Sequence, residues 1–249
     1  MDRFEAGVDG ATFESQGSKL LGAFYRGAGT GPRPTALLLH GLPGIEKHLD
    51  LAYALRDLGW NCLLFHFRGS WGSGGTYSLQ GLPADTRAAL DWTLRQPSVD
   101  PERIALVGAS TGGYLALLYG ALLYGSGDSQ IRAIAAIAPA VDPSEFDFPP
   151  ELAEEFAGML RGITGSELLD QWRRLEPLAG HLQALATRPL LLVTGDRDDL
   201  FPLAHYTDFA AALPHLRWAR HPEGDHSFSL CRPWLVRTVT DWLVERLGR

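Results

Sequence analysis

A serine at position 110 has the surroundings that nucleophilic catalysis requires. Ser110 lies in the pentad Gly-Ala-Ser-Thr-Gly at 108–112, between an apolar, β-prone stretch at 104–107 and a stretch at 113–119 typical of a buried helix. A tight strand-to-helix turn strains the serine backbone, and glycines two residues away let strand and helix approach. The pattern predicts an exposed nucleophile. Because such pentads also arise by chance, the assignment depends on finding a base, an acid and oxyanion donors.

Two later loops carry the side chains that would activate a serine. Residues 222–228 follow the last predicted strand and include His226, whose imidazole could accept the serine proton. Residues 194–202 follow the strand before it and hold three aspartates, Asp196, Asp198 and Asp199. One carboxylate is needed to hold the imidazole in the correct tautomer. The residue types alone leave all three open.

Strands and helices alternate along most of the chain, and this alternation must position those loops. Continuous apolar runs such as 36–39 and 190–193 are what a parallel sheet covered on both faces requires. An antiparallel pair, 12–15 with 19–26, precedes them. We therefore predict an α/β fold with a mostly parallel sheet of about eight strands and helices on both faces. The later strands are predicted at 35–40, 61–67, 104–109, 131–138, 189–194 and 216–221, and the helices at 49–58, 83–95, 111–124, 203–213 and 233–247.

One segment, 142–187, breaks the alternation because it contains no clear strand. It is too long for a plain connection in a compact domain, and helical patterns occur near 151–160 and 167–175. We interpret it as a helical cap inserted between two parts of a core, 1–141 and 188–249. Its large apolar side chains would line a substrate pocket or form the small core of the cap, and Trp71, from an earlier loop, could border the same pocket. The candidates in the cap are Phe146, Phe148, Phe156, Met159 and Trp172.

Composition and charge exclude several function classes. The 249 residues are 45% hydrophobic, enough to bury the core of one domain. The net charge is −7 and no Lys/Arg cluster stands out, so we expect no nucleic-acid partner. The sequence begins without a signal-peptide pattern and has no apolar run of membrane-spanning length, so we expect a cytoplasmic monomer or homodimer with no membrane partner.

Metal and nucleotide sites have little support in the sequence. Cys62 and Cys231 are the only cysteines, they form no Cys-x-x-Cys pair, and there is no His-Glu-x-x-His motif. The glycine-rich residues 72–75 follow a predicted strand, but they lack the Gly-Lys-Ser/Thr ending of a phosphate-binding loop. We therefore expect no metal and no cofactor.

The order of nucleophile, acid and histidine on loops after strands resembles the α/β-hydrolase superfamily over nearly the whole chain. In that family the acid commonly lies three residues after the loop glycine and four before the proline, which implies Asp198 with His226 as the base. Residues 40–44 resemble the family's His-Gly loop. The resemblance implies that the backbone N–H groups of Leu42 and Thr111 form the oxyanion hole, and we expect His40 to fix that loop by hydrogen bonds.

A small helical cap in a chain of this size resembles bacterial carboxylesterases and cinnamoyl-type esterases. We therefore expect a serine carboxylesterase that acts through an acyl-enzyme on small, fairly apolar esters, including esters of aromatic acids. The loop at 67–72 and the His-Gly pair also resemble serine peptidases of the prolyl-oligopeptidase type, in which Glu154 or Glu155 would have to bind a peptide amino terminus. A third possibility is a non-catalytic binding protein, against which the intact triad argues.

Overall fold

The computed structural model describes residues 2–125 and 130–249, and ten strands lie within them. They are β1 (Arg3–Phe4), β2 (Gly7–Ser15), β3 (Ser18–Arg26), β4 (Gly29–Thr30), β5 (Arg33–Leu39), β6 (Asn61–Phe65), β7 (Val99–Ala109), β8 (Ile131–Ile137), β9 (Leu190–Gly195) and β10 (Leu216–His221).

Eight of these strands form one sheet in the spatial order β10-β9-β8-β7-β5-β6-β3-β2. The six strands from β10 to β6 pair in parallel, whereas β3 and β2 are antiparallel. The turn between β2 and β3 places Gln16 and Gly17 at positive φ. The predicted α/β fold with a mostly parallel sheet of eight strands is confirmed. Strands β1 and β4 form a separate antiparallel pair.

Helices cover both faces of the sheet. The helices of the core are α1 (Leu49–Asp57), α2 (Leu82–Leu94), α3 (Thr111–Gly125), α7 (Ala204–Ala211) and α8 (Arg232–Leu247). Side chains of α1 and α8 pack with one hydrophobic cluster, and those of α2, α3 and α7 with another. Strand β7 supplies both clusters, because Ile104 and Leu106 point to one face and Ala105 and Val107 to the other. None of the helices in the described part of the chain has the length and apolar character needed to span a bilayer.

The cap segment, residues 142–187, contains three α-helices, α4 (Pro150–Gly158), α5 (Gly165–Trp172) and α6 (Leu182–Leu185), and two short 3-10 helices. Helix α5 begins with a capping box between Thr164 and Glu167, which satisfies two backbone donors. Buried cap residues such as Leu168 belong to the same hydrophobic cluster as α2 and α3, so the cap shares the apolar interior of the core. Its division from the core at residues 141 and 188 stays a prediction.

Candidate active site

Ser110 occupies a sharp turn between the end of β7 and the start of α3. Its φ is +53°, a conformation that costs energy for a side-chain-bearing residue, and its N–H donates to the Ile137 carbonyl at 2.8 Å. The two glycines of the pentad are sterically required. A Cβ on Gly108 would lie 2.1 Å from the Gly112 oxygen, and one on Gly112 would lie 2.0 Å from the Leu39 oxygen. The pentad therefore forms the predicted strand-to-helix turn.

Asp198 and His226 meet across the ends of two neighbouring parallel strands, β9 and β10. The Nδ1 of His226 lies 2.8 Å from Oδ2 of Asp198. The other oxygen of this fully buried carboxylate accepts the N–H groups of Leu200 at 2.9 Å and Phe201 at 3.0 Å. Because the carboxylate accepts a hydrogen bond from Nδ1–H, the ring proton stays on Nδ1 and Nε2 remains free to act as a base.

The competing side chains have other positions or partners. Asp196 is paired with Arg220 at 3.0 Å, and Asp199 is exposed to solvent. His221 lies on β10, where its Nδ1 accepts the N–H of Glu223 at 3.2 Å. Of the three candidate aspartates, Asp198 is the one hydrogen-bonded to His226.

The loop after β5 brings its backbone close to Ser110. A Cβ on Gly41 would lie only 2.9 Å from the Ser110 Cβ, so the chain at this point can approach only as glycine. Within the described residues, neither the Leu42 N–H nor the Thr111 N–H donates to a protein acceptor. Both Leu42 and Thr111 line the cavity that contains Ser110. This arrangement suits donors that await a developing oxyanion.

His40 holds that loop in place by two hydrogen bonds, as expected. Its Nδ1 donates to the Gly41 carbonyl at 2.8 Å, and its Nε2 accepts the Phe67 N–H at 3.3 Å. Burial lowers the pKa of His40 to about 4, which keeps the ring neutral at neutral pH. A neutral ring can donate at one nitrogen and accept at the other, so the pKa and the geometry agree. His40 thereby connects the loops that follow β5 and β6.

The cavity in front of Ser110 has a volume of about 270 Å³ and is mostly apolar. Four of the predicted pocket residues line it, together with further apolar side chains that no sequence pattern marks. The four are Phe146, Phe148, Phe156 and Trp172, and the additional ones include Ile45, Leu152, Leu200 and Phe201. Phe148 and Trp172 also belong to the hydrophobic cluster, so these side chains both line the cavity and pack the interior.

Two residues predicted to line the pocket do not line this cavity. Trp71 has a φ of +44°, and its Nε1 donates to the Pro43 carbonyl at 3.1 Å, while Lys47 lies 4.2 Å from the centre of its ring. Trp71 therefore supports the oxyanion loop from outside. Met159, at the end of α4, is 37% exposed. Met159 lies one helical turn after Phe156 in the sequence. The sequence alone did not show that Phe156 faces the cavity and Met159 faces solvent.

A polar part of the cavity wall was not predicted from the sequence. Glu46, His48 and Ser227 line it, and His48 is buried. The backbone N–H of His48 donates to Oε1 of Glu46 at 2.6 Å, and its Nδ1 lies 3.1 Å from Nη2 of Arg232. No sequence motif marks these residues, because Arg232 is far away in the chain.

The loop at 67–72 is a structural turn. Arg68 binds the fully buried carboxylate of Asp85 through its Nη2 at 2.6 Å and its backbone N–H at 2.9 Å. Through these contacts Arg68 fixes the loop to the start of α2.

Comparison with known proteins gives three kinds of match. The model of the prolyl oligopeptidase family matches residues 48–249. An uncharacterised protein of Mycobacterium tuberculosis is 34% identical over 214 residues, which cover 84% of this chain and 69% of the relative. Acylamino-acid-releasing enzyme 1 of Oryza sativa is 25% identical over 203 residues, but these are only 25% of that enzyme. Est1E of Butyrivibrio proteoclasticus, solved with ferulic acid, superposes with a TM-score of 0.76 at 19% identity, covering 96% of this chain and 100% of Est1E.

Proposed function

Since the chain belongs to the prolyl oligopeptidase family of serine hydrolases, we propose that it hydrolyses its substrates through Ser110. We propose further that these substrates are small, fairly apolar esters, including esters of aromatic acids, so that the protein is a carboxylesterase. The observation that carries this proposal is the cavity in front of Ser110. Its volume is about 270 Å³, and aromatic side chains of the cap segment form much of its wall. Such a space accommodates a short or aromatic acyl group, whose burial supplies binding energy in proportion to the apolar area covered.

The proposed reaction uses the described geometry in two halves. In the first, Nε2 of His226 takes the proton of Ser110 as Oγ attacks the ester carbonyl, while Asp198 stabilises the imidazolium. The carbonyl oxygen becomes an oxyanion and accepts the N–H groups of Leu42 and Thr111. Collapse of this intermediate expels the alcohol, which takes the proton from His226. In the second half, water attacks the acyl-enzyme by the same route and releases the acid and free serine.

The positions of the acidic side chains favour an ester over a peptide. A peptidase that holds a free amino terminus needs an available carboxylate near the nucleophile. Neither Glu154 nor Glu155 lines the cavity, and Glu154 accepts the Gly165 N–H at 3.1 Å. Glu46 does line the cavity, but its carboxylate accepts the His48 N–H and lies 3.8 Å from the Arg232 guanidinium, whose positive charge opposes binding of an ammonium group there.

A peptidase is the second candidate, and the similarity to the rice acylamino-acid-releasing enzyme favours it. An acylated amino terminus carries no charge, so a blocked peptide could enter an apolar cavity without a carboxylate partner. The test must therefore include N-acetylated aminoacyl amides as well as free ones.

The deciding experiment is a comparison of kcat/KM across two substrate sets. One set contains p-nitrophenyl acetate, butyrate and octanoate with methyl ferulate, and the other contains p-nitroanilides of free and N-acetylated amino acids. We expect ester turnover to exceed amide turnover and to vanish in Ser110→Ala. Amide turnover above ester turnover would replace the esterase proposal with the peptidase.

A non-catalytic binding protein is tested separately with a fluorophosphonate probe. We expect the folded protein to be labelled at Ser110 and the Ser110→Ala variant to remain unlabelled. Failure of folded wild-type protein to react would favour a binding role on a hydrolase scaffold.

A further inference from the structure

The proposed mechanism assigns no role to His48, a polar residue that lines the cavity. His48 lines the cavity, lies in the loop between β5 and α1, and is 5% exposed. Its carbonyl accepts the Leu51 N–H at 3.1 Å at the start of α1, and its φ is +53°. Side-chain-bearing residues are uncommon in this left-handed conformation, which glycine adopts without steric cost. The ring therefore invites a functional explanation.

Arg232 fixes the tautomer of this ring. A guanidinium is always protonated and only donates, so its Nη2, 3.1 Å from Nδ1 of His48, makes Nδ1 the acceptor. The ring proton must then be on Nε2. Burial, followed by the charge of Arg232, lowers the pKa of His48 to about 4, so the ring stays neutral at neutral pH. Among the residues that the structure describes, no acceptor is found for the Nε2–H.

The guanidinium that fixes the ring is itself held on three sides. Its Nε and Nη2 bind the two oxygens of Asp50 at 2.8 and 2.5 Å, and its Nη1 donates to the Ser227 carbonyl at 3.1 Å. Arg232 begins α8 and Asp50 lies in the first turn of α1, so two packed helices position the pair. His48 is thus presented to the cavity as a rigid donor of known tautomer.

The neighbour of His48 in the site is the catalytic base. The Arg232 guanidinium contacts both Nδ1 of His48 and the carbonyl of Ser227, the residue that follows His226, and all three of these cavity residues line the same wall. In the proposed reaction the departing alcohol takes its proton from His226, so the alcohol part of the ester must lie beside that ring. The polar part of the wall, formed by Glu46, His48 and Ser227, therefore borders the leaving group. The aromatic side chains of the cap contact the acyl group.

Resting on the proposed function, we propose that the Nε2–H of His48 donates a hydrogen bond to an oxygen in the alcohol part of the substrate. His48 is then a substrate-positioning donor that selects esters whose alcohol carries an ether, hydroxyl or carbonyl oxygen. The natural substrates are esters of an apolar acid with an oxygen-bearing alcohol. An alcohol without such an oxygen would cover the Nε2–H and exclude water from it without pairing it, which is costly.

Two esters that differ by one atom test this role. Butyl butyrate and 2-methoxyethyl butyrate share the acyl group, and their alcohols differ by a methylene in place of an oxygen. The measured quantity is the ratio of kcat/KM for the methoxyethyl ester to that for the butyl ester. His48→Met removes the donor, and His48→Gln has nearly the same shape but keeps an N–H. We expect the ratio to fall about 3- to 10-fold in His48→Met, as one neutral hydrogen bond would give, and to be largely restored in His48→Gln.

The outcomes separate this inference from the proposed function. Hydrolysis of butyl butyrate by the wild-type protein tests the esterase proposal, whereas the ratio tests His48. An unchanged ratio in folded His48→Met overturns the inference while leaving the esterase intact. A measurement on unmodified protein guards against misfolded variants: nitrogen NMR of ¹⁵N-histidine-labelled protein should show His48 protonated at Nε2 between pH 6 and 8. Protonation at Nδ1 would overturn the inference whatever the protein hydrolyses.

Discussion

Replacing Gly41 with alanine should disable the oxyanion hole although no catalytic residue is substituted. The new Cβ would lie 2.9 Å from the Ser110 Cβ and 3.1 Å from the Ala109 oxygen. Carbon atoms in contact prefer about 3.5–4.0 Å, so the loop must retreat by roughly 0.6 Å or more. An oxyanion donor works within about 2.7–3.1 Å, a narrower window than this displacement. The Leu42 N–H is therefore lost as a donor, which typically costs on the order of 10²–10³ in rate.

The assay compares Gly41→Ala with a matched control, Gly10→Ala. A Cβ on Gly10, in the exposed strand β2, would meet nothing within 4 Å. We expect kcat/KM for p-nitrophenyl butyrate to fall about 10²- to 10³-fold in Gly41→Ala and to remain near wild type in the control. Urea unfolding of both variants separates lost activity from lost fold, because overpacking costs about 1–3 kcal/mol. A folded Gly41→Ala variant within threefold of wild-type activity would refute the reasoning.

Three further predictions follow from the same geometry. Asp198→Asn should lower kcat about 10³- to 10⁴-fold. The asparagine oxygen would keep the N–H groups of Leu200 and Phe201, so its NH2 would face Nδ1 of His226 and leave the ring proton on Nε2. A loss below tenfold in single-turnover assays would exclude Asp198 as the acid. Burial lowers the pKa of His40 to about 4, below roughly 6.5 in the unfolded chain. As the pH falls, the unfolded chain therefore binds a proton at His40 before the folded protein does. This lowers the free energy of unfolding, by about 2 kcal/mol at pH 5 relative to neutral pH. Urea unfolding measured at pH 8 and pH 5 should show a smaller decrease in the free energy of unfolding for His40→Gln than for the wild type. Equal decreases in the two proteins would contradict this. Trp172→Ala should raise the octanoate-to-butyrate ratio of kcat/KM about tenfold or more, because each buried methylene contributes about 0.8 kcal/mol, whereas Met159→Ala, outside the cavity, should leave it unchanged.

The sheet and the catalytic loops could be predicted because their signals are local. The apolar run at 190–193 has no polar face, which is the mark of a strand covered on both sides, and it became β9. Ser110 carries its own steric signature in Gly108 and Gly112. Chain order then places the remaining partners, since loops after parallel strands meet at one edge of the sheet.

The cavity wall could not be predicted because it depends on long-range packing. His48 and Arg232 are 184 residues apart and meet only because α1 and α8 pack on the same face of the sheet. Trp71 shows that a prediction can also fail because of local backbone conformation. Its positive φ turns the indole toward Pro43, and nothing in the residue type announces that turn. The aromatic residues of the cap were recognisable as apolar, but which of them reach the cavity is decided by how α4 and α5 lie against the core.

The cap segment is joined to the core through the polypeptide backbone itself. The Arg161 N–H donates to the Gly69 carbonyl at 2.7 Å, and the Arg161 carbonyl accepts the Tyr77 N–H at 2.9 Å. Peptide groups are the same in every residue, so these bonds persist whatever side chains the cap carries. This attachment of residue 161 to the core therefore does not depend on the aromatic residues over Ser110. A substitution that alters the cavity wall therefore leaves this attachment, and the loop at 67–72 to which it is made, in place.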